Sequence, residues 1–329
     1  MRAPSFWNRR GAVAVLLAPL GKLYGASVAF KAAHASPYRA PMPVICVGNL
    51  TAGGSGKTPV AIAIGEMLKA QGHKPVFLTR GYGGKAAAPV LVKPHHGARI
   101  VGDEALLLAR TAPTIVARDR AIGAARAAEA KADVLVMDDG HQNFALAKDL
   151  SLVVVDGGGG FQNGMVLPAG PLREPVAQGL KRADAVIIMG SGGRSPQDGH
   201  AAKRAPGIPE LDNFKGLVLY AHLQPLPNDF AGRRVFAFAG IGRPRKFFDT
   251  LKAAGALVAG TQDFADHHNY DAQDLQGLRD QAKGDLLVTT EKDLVRIPPE
   301  QRHGIAALAV EARFDDPAAL VALLAKAVP

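Results

Sequence analysis

Several things are scarce in this chain, and each scarcity excludes something. Cys46 is the only cysteine among 329 residues, so no disulfide can close within one chain. A lone thiol fits a reducing compartment. No acidic residue precedes Glu66, whereas Arg2, Arg9, Arg10, Lys22, Lys31 and Arg39 all fall within residues 1–40. Aromatic residues make up 6%, and no basic patch is interleaved with them in the way that stacks on bases, which argues against a nucleic-acid partner. An uninterrupted apolar run of about 20 residues, the length needed to cross a bilayer, is also lacking. Pro19, Gly21 and Lys22 break the one near the amino terminus, and no clean small-x-small cleavage site leads from it into a secreted-looking domain.

The composition that remains is that of a globular protein: 48% hydrophobic, 21% charged, and long enough for two domains. The formal net charge of +10 calls for an anionic partner. Because the excess gathers at one end beside apolar residues, an anionic membrane surface suits it better than a nucleic-acid groove. Phe6, Val13, Leu17, Leu20, Tyr24 and Val28 fall on one helical stripe at about 100° per residue. Residues 1–35 therefore read as one or two short interfacial helices, kinked near Pro19, with Trp7 at the interface and Arg10 and Lys31 reaching phosphates. The competing reading is a helix packed on its own domain.

From residue 44 the pattern becomes strand (44–47), glycine loop, helix (60–70). Thr51, Ala52, Gly53, Gly54, Ser55, Gly56, Lys57 and Thr58 spell G-x-x-x-x-G-K-T with Thr51 in place of the first glycine. Glycines let backbone N–H groups turn inward around phosphate oxygens, the lysine reaches the β- and γ-phosphates, and the hydroxyl serves magnesium. The helix that follows adds its positive end. A second apolar strand, 134–137, ends in Asp138 and Asp139, where a P-loop enzyme holds its magnesium. Further strands at Pro75–Thr79, 114–117, 152–156 and Ala185–Met189 alternate with helices at 103–111 and 119–131. That alternation predicts an α/β fold, a P-loop parallel sheet covered by helices on both faces.

The run 48–59, Gly-Asn-Leu-Thr-Ala-Gly-Gly-Ser-Gly-Lys-Thr-Pro, resembles the signature of the tetraacyldisaccharide 4′-kinases. So do Thr-Arg-Gly-Tyr-Gly at 79–83, Val-Gly-Asp-Glu-Ala at 101–105 and Asp-Asp-Gly-His-Gln at 138–142. Leu-Pro-Ala-Gly-Pro-Leu-Arg-Glu-Pro at 167–175, Asp-His-His at 266–268 and Thr-Thr-Glu-Lys-Asp at 289–293 complete the set, in the family's order. The resemblance implies transfer of the ATP γ-phosphate to the 4′-hydroxyl of a tetraacyldisaccharide 1-phosphate. It also implies a peripheral or monotopic protein at the cytoplasmic face of a bacterial inner membrane, with ATP and magnesium as cofactors. Asp103 is the base that the resemblance points to, with His267 paired to it. From the residues alone, Asp103 equally well starts the helix beyond it.

Lys57 would stabilise the transferring phosphoryl, and Thr58 with Asp138 and Asp139 would organise the metal. Glu174 is a candidate substrate or second-metal contact; Arg80 and Arg118 are candidates for the lipid phosphate or the nucleotide. Glu291, Lys292 and Asp293, at the end of Leu286–Thr290, suggest nucleotide recognition. The expected organisation is an interfacial segment (1–35), a P-loop kinase domain (36–190), a linker (191–225) and a second, smaller α/β domain (226–329). The alternative function is a P-loop switch or chaperone ATPase at the membrane, which would hydrolyse ATP with no lipid acceptor.

Overall fold

The computed structural model describes residues 4–190 and 208–328. Residues 191–207 of the expected linker lie outside the described residues. After a short 3-10 turn comes helix α1 (Ala12–Ala33) and then strand β1 (Val44–Gly48). Strands β2 (Pro75–Thr79), β3 (Val90–Leu91), β4 (Thr114–Val116), β5 (Val134–Asp138), β6 (Leu150–Asp156), β7 (Ala185–Met189), β8 (Leu217–Pro225) and β13 (Val310–Phe314) join β1 in a nine-stranded sheet. Its order is β13-β8-β7-β6-β1-β5-β2-β4-β3. All neighbours are parallel except the edge pairs β13–β8 and β3–β4.

Parallel strands need both faces covered, and the β1 side chains divide accordingly. Ile45 and Val47 face α2 (Lys57–Ala70), through Val60, Ala61, Ile64 and Leu68, and α10 (Pro317–Ala327), through Leu320 and Leu324. Val44 and Cys46 face α5 (Arg120–Glu129) through Ala124 and Ala127. Each Leu or Ile buried in these layers contributes about 1.5–3 kcal/mol. The short helices α3 (Ala98–Val101), α4 (Asp103–Leu108) and α6 (Val176–Leu180) lie in the connections.

A second sheet of four parallel strands has the order β10 (Leu257–Asp263), β9 (Arg234–Ala239), β11 (Leu286–Thr290), β12 (Ile305–Leu308). Helix α7 (Pro244–Ala253) packs on one face through Phe247, Phe248 and Leu251; α8 (Ala272–Ala282) packs on the other through Leu275 and Leu278. Helix α9 (Glu291–Leu294) follows β11, capped by the Thr290 side chain.

Two expectations change here. Residues 217–225, placed in the expected linker, form β8, which pairs with β7 inside the first sheet. The last strand and helix, expected with the second unit, also return to the first sheet. Sheet membership is decided by long-range pairing, which local pattern does not encode.

Helix α1 departs further. It is one helix, continuous through Pro19, and apolar enough in composition and length to cross a membrane. On the predicted stripe Val13, Leu20 and Tyr24 lie outward, and the face against the body is Ala14, Gly21 and Gly25. Small residues win that face because the backbone approaches closely. A Cβ at Gly21 would meet the Val166 carbonyl oxygen at 2.6 Å, and one at Gly25 would meet Pro175 Cδ at 3.4 Å. The opposite side carries Val13, Leu16, Leu20, Leu23 and Phe30, with Leu16 79% and Leu23 68% exposed. Arg10, expected to reach phosphates, donates to the Asn163 carbonyl at 2.9 Å, and the Trp7 indole N–H donates to the Pro168 carbonyl at 3.1 Å.

Candidate active site

The loop between β1 and α2 is built to receive an anion. Gly56 takes the left-handed conformation (φ 88°) at the start of α2, and a Cβ at Gly53 or Gly54 would meet nothing within 4 Å. The Asn49 amide donates to Ser55 Oγ at 3.0 Å, tying the loop from within. Thr51 makes a bridge with Leu172, and the Ala52 N–H donates to the Pro171 carbonyl at 2.7 Å, so the loop's first half is extended. Thr51 has no positive φ, which is why a threonine serves where the motif has glycine.

Beside the loop, the Thr58 hydroxyl donates to Asp138 Oδ2 at 3.0 Å, joining α2 to the end of β5. Burial, then the charge of Glu104, push the Asp138 carboxyl up to about 7. Its Oδ1 is buried and lacks a hydrogen-bond partner among the described residues. An orphaned carboxylate oxygen next to a threonine hydroxyl is a hard-oxygen donor set that fits magnesium. Asp139 is engaged differently. Its oxygens accept from Arg173 at 2.8 and 3.1 Å, and Lys57 Nζ lies 3.6 Å away. Burial alone would raise the Asp139 carboxyl, but Lys57 and Arg173 outweigh it and hold it low.

Arg118 is exposed, and Arg120 is the buried arginine of that turn. Its guanidinium donates to the Ala117 carbonyl and sits in the field of Asp139, Asp138 and Arg80; burial lowers it to about 10. Glu174 is 1% exposed, with both oxygens held by Arg182 (2.7 and 2.6 Å) and one also by Gln142 at 2.9 Å. Gln142 in turn donates to the Asn49 carbonyl, so Glu174 braces the phosphate loop from behind. His141 is fully buried between Ser151 Oγ (3.1 Å) and the Gly179 carbonyl (3.0 Å).

Asp103 and His267, far apart in the sequence, come together: Nδ1 lies 3.2 Å from Oδ2. His267 has a left-handed backbone (φ 58°), and its N–H donates to the Gly240 carbonyl at 3.0 Å. His268 instead binds Asp274 at 2.7 Å and stacks on Phe264, a structural placement. Arg296 Nε donates to Asp103 Oδ2 at 2.7 Å. Burial would raise the Asp103 carboxyl; the His267 hydrogen bond, Lys292 and Arg296 override it and keep it well below the usual carboxylate range. Glu291, Lys292 and Asp293 each have a protein partner, namely Arg110 (2.7 Å), Glu104 (3.0 Å) and Arg296 (2.9 Å).

Roles for Arg296, Arg173, Arg120 and Glu104 were missed by reading the sequence, and Lys292, read for the nucleotide, pairs with Glu104 instead. Arg173 and Glu104 lay inside the motifs at 167–175 and 101–105, and that was their only signal. A cavity of about 420 Å³ runs from Glu104, Asp139 and Arg173 to α1. Arg80, Glu104, Asp139 and Arg173 line its polar part; Tyr24, Val28, Phe144 and Leu167 line its apolar part, with Lys31 beside them.

Comparison with known proteins agrees with this geometry. The model of the family described as tetraacyldisaccharide-1-P 4′-kinase (LpxK) matches residues 13–329. The chain is 50% identical to the tetraacyldisaccharide 4′-kinase of Rhodospirillum rubrum, over 98% of this chain and 97% of that protein. It is also 50% identical to the one of Paramagnetospirillum magneticum, over 98% of each. Among solved structures, LpxK from Aquifex aeolicus, crystallised in complex with ATP, superposes with a TM-score of 0.76 at 25% identity, covering 96% of this chain and 100% of that one.

Proposed function

The chain belongs to the tetraacyldisaccharide-1-P 4′-kinase family, and we propose that its site transfers the ATP γ-phosphate to the 4′-hydroxyl of a tetraacyldisaccharide 1-phosphate with Asp103 as base. The observation that carries the reading is the single cavity that joins charged groups at Asp139 and Glu104 to apolar walls on α1. A sugar headgroup with acyl chains has that same division.

In the step, the acceptor oxygen bonds to the γ-phosphorus, the bond to the bridging oxygen breaks, ADP leaves, and the hydroxyl proton passes to Asp103. Phosphoryl transfer has a loose transition state, in which the acceptor proton becomes acidic late. A carboxylate that stays ionised, even a weak base, serves that late transfer. Asp103 Oδ2 is occupied by Arg296 and His267, while Oδ1 accepts the Glu104 N–H at 2.9 Å and keeps a lone pair. Lys57 neutralises charge on the phosphoryl, and Asp139 with Arg173 orients Lys57. Thr58 and Asp138 would hold magnesium, which when bound supplies positive charge to the phosphates.

Membrane attachment rests on the exposed side of α1, where Val13, Leu16, Leu20, Leu23 and Phe30 lack cover, flanked by Lys22 and Lys31. Laid in an anionic leaflet at the cytoplasmic face, that side would bring the cavity to the lipid. Transfer of labelled γ-phosphate to the disaccharide 1-phosphate in micelles tests the reading.

A further inference from the structure

The Asp103–His267 pair has an unusual construction: its members come from different sheets, and each is fixed through one third residue. Arg296 follows α9, one turn beyond Lys292, so the two cations project from one face toward the consecutive acids that open α4. Lys292 reaches Glu104 at 3.0 Å, and Arg296 reaches Asp103. The remaining donors divide between the two sides. Nη1 donates to the Gly240 carbonyl at 2.8 Å and to Asp293 Oδ1 at 2.9 Å; Nη2 donates to Asp103 Oδ2 and lies 3.3 Å from His267 Nδ1.

The anchor is itself fixed. Asp293 is fully buried and accepts from the Gly240 N–H (3.0 Å), the Tyr270 hydroxyl (3.0 Å) and the Thr290 hydroxyl (2.6 Å). The Gly240 carbonyl that takes Arg296 Nη1 also takes the His267 N–H, so one oxygen sets both. Glycine suits that position, since a Cβ would stand 3.0 Å from Tyr270 Oη and 3.1 Å from Asp293 Oδ1. Burying such an ion pair is a weak way to gain stability, because desolvation offsets the attraction. Fixing geometry is what a planar fork of donors does well, and an ammonium cannot copy it.

We propose that Arg296 is the positioning residue of this site: anchored on the second sheet by Asp293 and Gly240, it holds the Asp103 carboxylate of the first sheet in register with His267. The proposal rests on the reading that Asp103 and His267 activate the acceptor hydroxyl. Asp103 is faced by Lys292 and Arg296 after β11, with Asp293 behind them. His267, with Asp266 beyond it, faces it from the loop after β10, and Glu104 faces it from its own helix, neutralised by Lys292.

The test compares Arg296→Gln, Arg296→Lys and Asp103→Asn in the full chain, assayed with micellar disaccharide 1-phosphate across pH. Arg296→Gln is expected to lower kcat about 100-fold, the scale of an ångström of misplacement, with the KM for ATP within about twofold. Arg296→Lys keeps the charge and should still lose roughly tenfold in kcat because the fork is gone. A wild-type kcat in Arg296→Gln would overturn the proposal, as would full recovery of kcat by lysine. If Arg296→Gln fails to fold, Arg296→Lys decides alone, by reduced kcat at unchanged KM for ATP or by wild-type kcat. Asp103→Asn separates the two levels. If it retains turnover, the base assignment falls and the positioning role with it; if it is inactive while Arg296→Gln behaves as wild type, only the positioning role falls.

Discussion

His267 Nδ1 stands 3.2 Å from Asp103 Oδ2, with Asp103 at the start of α4 beside the first sheet and His267 on a loop leaving the second. Neither side chain makes the pair alone, so the reacting groups exist only when the two sheets are apposed. Asp103→Asn keeps the shape and removes the charge. It is expected to reduce kcat by roughly 10²–10⁴, the range for loss of a general base, with the KM for ATP little changed. His267→Gln should cost less. Steady-state kinetics on both variants check this, and near-normal turnover of Asp103→Asn across pH would remove it as base.

Asp138 Oδ1 is a buried oxygen with no hydrogen-bond partner among the described residues, and Thr58 already occupies Oδ2. Chelating magnesium should stop turnover of the wild type. In Asp138→Asn the magnesium concentration for half-maximal rate should rise at least about tenfold, the lower end of losses at metal-supporting contacts. Magnesium titration of both proteins reads this directly; an unchanged midpoint would put the metal elsewhere.

His141 gives a prediction about stability that catalysis does not share. Burial, then the charges of Lys148 and Arg182, push its imidazole from the ordinary 6.5 down to about 3. Between those values the unfolded chain binds a proton that the folded one refuses. The stability tied to this group is therefore complete above pH 6.5 and drains as pH falls toward 3, by up to about 1.4 kcal/mol per pH unit. His141→Gln should flatten the decline of the urea midpoint between pH 7 and pH 5. Parallel declines in the two proteins would show that His141 is not buried neutral.

Helix α1 offers an apolar side that its own body leaves bare. Replacing Leu16, Leu20 and Leu23 with Glu alters only exposed positions, so the fold and the KM for ATP should persist. Flotation with anionic liposomes should fall more than tenfold, since each side chain forgoes about 1.5–3 kcal/mol of burial. A triple variant that floats like the wild type would assign that face another partner.

What the sequence made legible was local. The phosphate loop, β5 with its two acids, and the α/β alternation all announce themselves within a dozen residues, and all stand where expected. What stayed hidden was relational. Arg296 looks like any solvated arginine until β9 and β11 bring Gly240 and Asp293 beside it. Arg118 and Arg120 are indistinguishable in a row of letters, and only the turn before α5 sends one inward. In α1 the apolar stripe was legible, and Val13, Leu20 and Tyr24 on it are exposed; what stayed hidden was the face against the body, where close approach to Val166 selects Gly21 rather than a leucine.

The central claim is tested most directly by incubating γ-labelled ATP with tetraacyldisaccharide 1-phosphate in detergent micelles, using wild-type protein and Lys57→Ala. Label should enter the lipid with the wild type, and Lys57→Ala, which loses the charge that Asp139 orients at 3.6 Å, should transfer it about 10²–10³-fold more slowly. ATP hydrolysis without labelled lipid would contradict the account and turn the same phosphate loop into that of a switch ATPase.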